Sequence, residues 1–126
     1  MPKIVAILED EPTISQMYRF KLEKEGFTVE IAENGVLGLK LIESMHPDII
    51  LLDIMMPLLS GDKVLEKIRA KPWGKDIKVI ILTNMGDQEI PPLFKELGVS
   101  DVIVKADLTP GQVADLVMEN LGKGPS

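Results

Sequence analysis

Four aliphatic residues in a row precede an acid in the segment Ile49-Ile50-Leu51-Leu52-Asp53. The run does not alternate between apolar and polar residues, so it predicts a strand buried on both faces, as in a parallel sheet covered by helices. Three further runs share this character: Ile4-Val5-Ala6-Ile7-Leu8, Val79-Ile80-Ile81-Leu82 and Val102-Ile103-Val104. The segment Thr28-Val29-Glu30-Ile31-Ala32 alternates instead, which predicts a strand at an edge of the sheet with one wetter face.

The segments between these runs have the spacing of amphipathic helices. Their apolar residues form five stripes that we expect to face the core: Ile14, Met17, Tyr18 and Leu22; Leu37, Leu41, Ile42 and Met45; Val64, Leu65 and Ile68; Leu93, Phe94 and Leu97; Val113, Leu116, Val117 and Leu121. Thr109 and Gln112 flank Pro110 in the pattern of a capped helix start. Gly26 and Gly98 stand where helix C-caps are expected.

Strands and helices therefore alternate along the whole chain. This order predicts one α/β domain with five strands, five helices and right-handed crossovers, in which helices cover both faces of the sheet. We expect the domain to span residues 1–121, with 122–126 as a tail or the stump of a linker.

Composition and charge exclude several classes of function. The 126 residues carry a formal net charge of −6, contain no cysteine and contain one histidine, His46. Disulfides, thiolate nucleophiles, cysteine zinc sites and two-histidine metal sites are therefore excluded. The acidic balance is the wrong sign for a bare nucleic-acid surface or a polybasic membrane patch, so we expect no direct nucleic-acid or membrane partner. No apolar run approaches the ~20 residues of a membrane span and no signal peptide is present, which predicts a cytoplasmic protein.

Polar residues follow the strands at their carboxyl ends, where open α/β sheets bind ligands. The first strand runs into Glu9-Asp10, the third into Asp53, the fourth into Thr83 and the fifth into Lys105. Three carboxylates, a hydroxyl and an ammonium should thus meet at one edge of the sheet. Carboxylates held close together favour a hard divalent cation, and Mg²⁺ suits a site of few carboxylates plus phosphate oxygens. A carboxylate there could act as the nucleophile toward a phosphoryl donor.

The chain resembles the receiver domains of two-component response regulators over essentially its whole length. The resemblance is carried by Ile7-Leu8-Glu9-Asp10-Glu11, by Asp53-Ile54-Met55-Met56-Pro57-Leu58-Leu59-Ser60-Gly61, by Leu82-Thr83 and by Lys105. It implies a doubly wound (βα)5, flavodoxin-like three-layer sandwich with a parallel five-stranded sheet of order 2-1-3-4-5.

The resemblance also implies a role for each residue of the site. Asp53 would accept a phosphoryl group from a sensor histidine kinase or a phosphotransfer protein. Mg²⁺ would be bound by Glu9, Asp10, Asp53 and the backbone carbonyl of Met55. Thr83 and Lys105 would contact the phosphoryl group. The domain would act as a regulatory phosphoacceptor that catalyses only its own phosphotransfer and autodephosphorylation.

The implied output is a change in the face built from the fourth helix, the fifth strand and the fifth helix. Its partner would be a downstream effector protein or a C-terminal effector domain outside this sequence. Pro91-Pro92 predict that the fourth helix begins there and stays short. With this short helix and with Val102 where many family members have an aromatic residue, we expect a monomer.

Three further positions carry expectations of their own. The family's usual Lys-Pro dipeptide is Lys105-Ala106 here, for which we expect a trans peptide. Met55 and Met85 lie two residues after Asp53 and Thr83. We expect their bulky apolar side chains to restrict attacking water and to lengthen the life of the phosphoryl group.

The sequence leaves three alternative functions to consider. The chain could be a pseudo-receiver that acts only as a protein-interaction module, although the intact set of polar residues argues against it. A flavodoxin-like redox protein shares the architecture, but Glu9-Asp10-Glu11 would repel a flavin phosphate. A hydrolase of the aspartyl-phosphate class would have a second aspartate at the position of Met55.

Overall fold

A computed structural model describes residues 2–84 and 90–122 of the chain. These residues form one parallel sheet of five strands, in the order β2-β1-β3-β4-β5. The strands are β1 (Ile4–Leu8), β2 (Thr28–Ala32), β3 (Ile49–Asp53), β4 (Lys78–Thr83) and β5 (Asp101–Val104). The buried aliphatic runs occupy β1, β3 and β4, while the alternating segment forms edge strand β2, as the sequence predicts. The run Val102-Ile103-Val104 does form a strand, but the expectation that it is buried on both faces is wrong, because β5 is the other edge of the sheet and only Ile103 is buried.

Five helices connect the strands. They are α1 (Pro12–Lys24), α2 (Gly35–Met45), α3 (Gly61–Arg69), α4 (Pro92–Glu96) and α5 (Pro110–Asn120), with a 3₁₀ turn at Pro72–Gly74 before β4. The Thr109 hydroxyl accepts the Gln112 amide hydrogen and the Gln112 side chain accepts the Thr109 amide hydrogen. This reciprocal cap confirms the predicted start of α5. Gly26 and Gly98, at φ +98° and +82°, follow the ends of α1 and α4 as predicted.

The helices cover both faces of the sheet and give three layers. In one core cluster, strand residues such as Leu8 and Leu52 pack against α2, α3 and Phe94 of α4. The second joins the opposite strand face, including Ile7 and Leu51, to α1 and α5. This is the doubly wound, flavodoxin-like fold expected from the sequence.

Two positions of the predicted helix stripes do not face the core. Met17 of α1 is 50% exposed and Leu37 of α2 is 46% exposed. The buried residues of α1 are Ser15, Tyr18 and Leu22. The helix face that packs on the core is therefore centred one residue away from the face that hydrophobicity alone predicts. The expectation that Met17 and Leu37 contribute to the core is wrong.

Pro91 and Pro92 set the start of α4 as expected. Pro91 is the N-cap and the helix has five residues. Proline has no backbone N–H and fits only the first turn of a helix, which places the start at this pair. Within the described residues, no helix is long and apolar enough to cross a membrane.

Candidate functional site

The sheet register brings the polar strand ends to one edge. Leu8 pairs with Leu52 across β1 and β3, so Glu9 and Asp53 follow at the same level. Asp53 pairs with Leu82 of β4, and Thr83 pairs with Val104 of β5. The Lys105 amide then donates to the Thr83 carbonyl oxygen over 2.8 Å. Parallel strands all end at this edge, so residues from four separate segments meet without any irregular chain path.

Lys105 forms ion pairs with two of the three acids. Its Nζ lies 2.5 Å from Glu9 Oε1 and 3.1 Å from Asp53 Oδ2, and all three side chains are at most 7% exposed. The other oxygen of each acid accepts a backbone hydrogen. Glu9 Oε2 accepts the Glu11 amide over 3.0 Å, and Asp53 Oδ1 accepts the Met55 amide over 3.1 Å. Both carboxylates are therefore fixed in orientation from two sides.

Burial dominates the electrostatics of these groups. Desolvation raises the pKa of Asp53, although the Met55 amide and Lys105 favour its ionised form. Desolvation also raises the pKa of Glu9 against the opposing effect of Lys105. For Lys105, burial would lower the pKa, but the contacts with Glu9 and Asp53 outweigh it and the pKa is raised. The ammonium stays charged, while the two carboxylates lack full compensation.

The donor set fits a hard divalent cation. One carboxylate oxygen from each of Glu9, Asp10 and Asp53 lies within 4.8 Å of the others, and Asp10 is exposed to solvent. Three carboxyl groups face one ammonium, and a cation with oxygen ligands would neutralise the excess of acidic groups. Glu9 Oε1 is buried, and within the described part of the chain it accepts no hydrogen bond in addition to its ion pair with Lys105.

A cavity of about 260 Å³ opens onto these groups. Its walls include five of the six predicted site residues, namely Asp10, Asp53, Met55, Thr83 and Lys105, together with Glu11 and Asn84. The sixth, Glu9, is buried and reaches the site through its ion pair with Lys105. Thr83 is buried at the end of β4, and Met55 is 69% exposed at the rim. The sequence did not lead us to predict that Glu11 lines this cavity, although its position directly after Glu9-Asp10 could have indicated it.

A larger depression of about 700 Å³ lies between α1 and α2, lined by residues such as Gln16, Arg19, Lys40 and Ser44. It contains a single acid, Glu33, among its lining residues. Because the carboxylates and the buried lysine converge at the smaller cavity, we assign the chemistry to the smaller one.

The loop between β3 and α3 positions Asp53 through close backbone contacts. The Gly61 amide donates to the Ile54 carbonyl over 2.9 Å, and a Cβ at Gly61 would lie 2.5 Å from the Asp53 carbonyl oxygen. Leu58 has a φ of +70°, and the Leu59 amide donates to the Pro57 carbonyl over 2.8 Å around it. This γ-turn projects Leu58 into solvent. Met56 packs inward, in the core cluster that contains Leu8 and Leu52.

The positions that depart from the family pattern are also defined. The described residues contain no cis peptide, so Lys105-Ala106 is trans as expected. Val102 is partly buried and packs against the core cluster that includes Phe94. Met85, for which a shielding role is expected beside that of Met55, lies outside the described residues.

Comparisons with known proteins agree with this architecture. A family model described as the response regulator receiver domain matches residues 5–117. The phosphate regulon transcriptional regulatory protein PhoB of Rhizobium meliloti is 32% identical over 114 residues, which are 90% of this chain and 50% of that protein. The DNA-binding dual master transcriptional regulator RpaA of Synechocystis sp. is 33% identical over 105 residues, which are 83% of this chain and 43% of that protein.

A solved structure gives the same result for the fold. The response regulator receiver domain protein (CheY-like) of Methanospirillum hungatei superposes with a TM-score of 0.87 at 28% identity, covering 98% of this chain and 96% of that one. The chain spans half or less of the length of PhoB and RpaA. With a family model that covers most of its length and a sheet of the matching order, the chain belongs to the response regulator receiver domain family of two-component signalling.

Proposed function

We propose that Asp53 is the phosphoacceptor of this receiver domain and takes a phosphoryl group from the phosphohistidine of a sensor histidine kinase or a phosphotransfer protein. The observation that carries the proposal is that Lys105 Nζ lies within 3.1 Å of both Asp53 and Glu9, where Asp53 and Lys105 form part of the wall of one open cavity. A buried acid beside a buried lysine and two further acids contributes little to stability, and such an arrangement is typical of a functional site.

The transfer requires one bond to form and one to break. An Asp53 carboxylate oxygen attacks phosphorus, and the P–N bond of the donor breaks, with its electron pair going to the imidazole nitrogen. Hydrogen bonds from the Met55 amide and Lys105 hold the attacking carboxylate in a single orientation. This preorganisation is the main contribution that a protein makes to phosphoryl transfer.

Magnesium would be held by Glu9, Asp10, Asp53 and the backbone carbonyl of Met55. When bound, it supplies neutralisation of negative charge on the phosphoryl oxygens. Lys105 lies close enough to Asp53 to contact a group attached there, and Thr83 lines the same cavity. We assign both residues to the phosphoryl oxygens, so that the domain acts as a regulatory phosphoacceptor that also directs its own dephosphorylation.

The proposed output surface is the face formed by α4, β5 and α5. Thr83 ends β4, immediately before the segment that leads to α4, and Lys105 directly follows β5. New contacts at a phosphoryl group would therefore bias the elements of this face. The partner would be a separate effector protein or an effector domain of the same protein, as the greater length of PhoB and RpaA suggests.

The experiment that tests the phosphoacceptor role uses acetyl phosphate and Mg²⁺ as a small-molecule donor system. Wild-type chain should gain the mass of one phosphoryl group and shift on a phosphate-affinity gel, whereas Asp53→Asn should not. Asp115→Asn, which alters an exposed acid on α5, should label like wild type. An unlabelled wild type with donors that label a known receiver would favour the pseudo-receiver alternative.

A further inference from the structure

Arg69, the last residue of α3, binds backbone oxygens from three other parts of the fold. Its Nε donates to the Leu97 carbonyl over 2.7 Å and its Nη2 to the Gly98 carbonyl over 3.0 Å. Its Nη1 donates to the carbonyls of Gly74 and Ile77, over 2.7 and 2.9 Å. A guanidinium is the side chain whose planar, fixed array of donors can hold several carbonyls at once.

Two of these carbonyls belong to the C-terminal end of α4. Leu97 is the C-cap of α4 and Gly98 follows it at φ +82°. The other two lie in the 3₁₀ turn and immediately before β4. Arg69 thus joins the C-terminal end of α4 to α3 and to the amino edge of the sheet, opposite the edge that carries Asp53.

Among the described residues, which leave out 85–89, the N-terminal end of α4 forms fewer backbone hydrogen bonds than its C-terminal end. Pro91 and Pro92 have no N–H to donate, and the Pro91 N-cap has no side-chain cap. The first helical hydrogen bond there runs from the Phe94 amide to the Pro91 carbonyl over 3.1 Å. This is also the end of α4 that follows Thr83 in the chain.

The amino edge of β5 is fixed in a similar way. Asn120, at the end of α5, donates through Nδ2 to Asp101 Oδ2 and to the Leu116 carbonyl, each over 2.9 Å. At the end of the proposed output face that lies away from Asp53, Arg69 therefore holds α4. Asn120 joins α5 to β5 at the same end.

We propose that Arg69 is a positioning residue that anchors the C-terminal end of α4, so that phosphorylation moves α4 from its N-terminal end about this fixed point. The proposal rests on the proposed phosphoacceptor function for the source of the movement. The anchor itself is present in the unphosphorylated chain and is tested there separately.

Amide hydrogen exchange at single-residue resolution tests the anchor. In unphosphorylated Arg69→Met, the amides of Leu97, Gly98 and Val99 should exchange about tenfold faster than in wild type, since charge-assisted hydrogen bonds to that end are lost. Arg69→Lys keeps the charge but not the fork of donors and should fall between the two. Arg19→Met removes the other arginine of the chain and should leave these three amides unchanged. Unchanged exchange in folded Arg69→Met or in Arg69→Lys would overturn the anchor.

The movement is tested with beryllium fluoride and Mg²⁺ as a phosphoryl mimic. Exchange of the Phe94 amide should change in wild type, while that of Leu97, Gly98 and Val99 changes by less than about twofold. In Arg69→Met the change should spread to these three amides, while acetyl phosphate labels Asp53 at the wild-type rate. Equal changes at both ends of wild-type α4 would overturn the fixed point. Failure of Asp53 to load, read by mass, would refute the phosphoacceptor function and the movement, whereas the unphosphorylated comparison would still decide the anchor.

Discussion

Lys105 Nζ lies 3.1 Å from Asp53 Oδ2 although the two residues are 52 positions apart in the chain. The same nitrogen is 2.5 Å from Glu9 Oε1, so one ammonium is shared by two buried carboxylates. The arrangement leaves the acids incompletely neutralised, since burial raises the pKa of both. A site of this kind is expected to cost stability in the free protein and to recover it when a cation or phosphoryl group is bound.

Replacing Asp53 by asparagine should stabilise the metal-free protein at pH 7 by about 1 kcal/mol. The change removes an ionised group that is buried, while Lys105 keeps Glu9 as a partner. Urea denaturation in the presence of EDTA measures the difference. Asp115→Asn serves as the control and should differ little from wild type; a less stable Asp53→Asn would contradict the account.

The same difference should depend on pH. Because the folded pKa of Asp53 is raised, its contribution to stability is fully present below the unfolded pKa and is lost as pH rises through the folded value. The advantage of Asp53→Asn over wild type should therefore shrink as the pH falls from 7 to about 4. Denaturation curves of both proteins across this range provide the test, and an advantage that widens toward acid pH would show that the sign is wrong.

Magnesium should reverse the order of stability. Binding to the native state alone stabilises a protein by about 2.7 kcal/mol at a concentration 100 times Kd. Wild type should gain Tm with added MgCl₂, whereas Asp53→Asn should gain much less because a ligand carboxylate is lost. Equal shifts in the two proteins would place the cation elsewhere.

Gly61→Ala should destabilise the fold by about 2 kcal/mol and slow the labelling of Asp53. The added Cβ would press on the Asp53 carbonyl oxygen, which is backbone and cannot move without shifting the acid. Gly111→Ala in α5 is the matched control, since its Cβ would meet only the side chains of Lys21 and Thr109, at the ordinary contact distance of 3.8 Å. That variant should be neutral or gain up to about 1 kcal/mol. Similar effects at both glycines would refute the positional argument.

Met55→Asn should shorten the life of the phosphorylated form severalfold. The wild-type side chain stands at the rim of the cavity and is 69% exposed, where it can limit the approach of water, whereas asparagine can bind and orient a water molecule. Loss of the label after removal of the donor gives the rate, and the double variant Met55→Asn/Met85→Ala extends the comparison. Equal rates in wild type and variants would discard a shielding role for these methionines.

The chain should remain a monomer at micromolar concentration with and without the phosphoryl mimic. Its α4 has only five residues, and Val102 offers less apolar area than an aromatic side chain would at the same face. Sedimentation velocity measures both states. A dimer that appears on loading would contradict this expectation.

Most of the fold could be predicted because its signals are local. Unbroken runs such as Ile49–Leu52 indicate buried strands, and Thr109 and Gln112 indicate a helix start by their spacing. The edge around Asp53 was also predictable, since parallel strands end together. Met17 and Leu37 were wrongly placed in the core because hydrophobicity alone does not show which side of an apolar stripe is buried. The buried side of α1 contains Ser15, and that of α2 contains Gly38.

The contacts between distant backbone atoms could not be predicted in this way. From the sequence, Arg69 in the last turn of α3 resembles an ordinary exposed arginine at a helix end. The tertiary structure alone shows which carbonyl oxygens accept its hydrogen bonds: those of Gly74, Ile77, Leu97 and Gly98. The shared position of Lys105 between Glu9 and Asp53 likewise depends on side-chain geometry beyond the strand order.

The central claim is that the Asp53 carboxylate accepts a phosphoryl group in a magnesium-dependent reaction. Its most direct test is peptide mass spectrometry after sodium borohydride reduction of chain treated with acetyl phosphate, which marks an acyl phosphate at the residue that carried it. We predict that a single residue, Asp53, is found reduced, and that this product requires MgCl₂ and disappears with EDTA. A chain that remains unmarked at Asp53, or that is marked equally without the metal, would contradict the account.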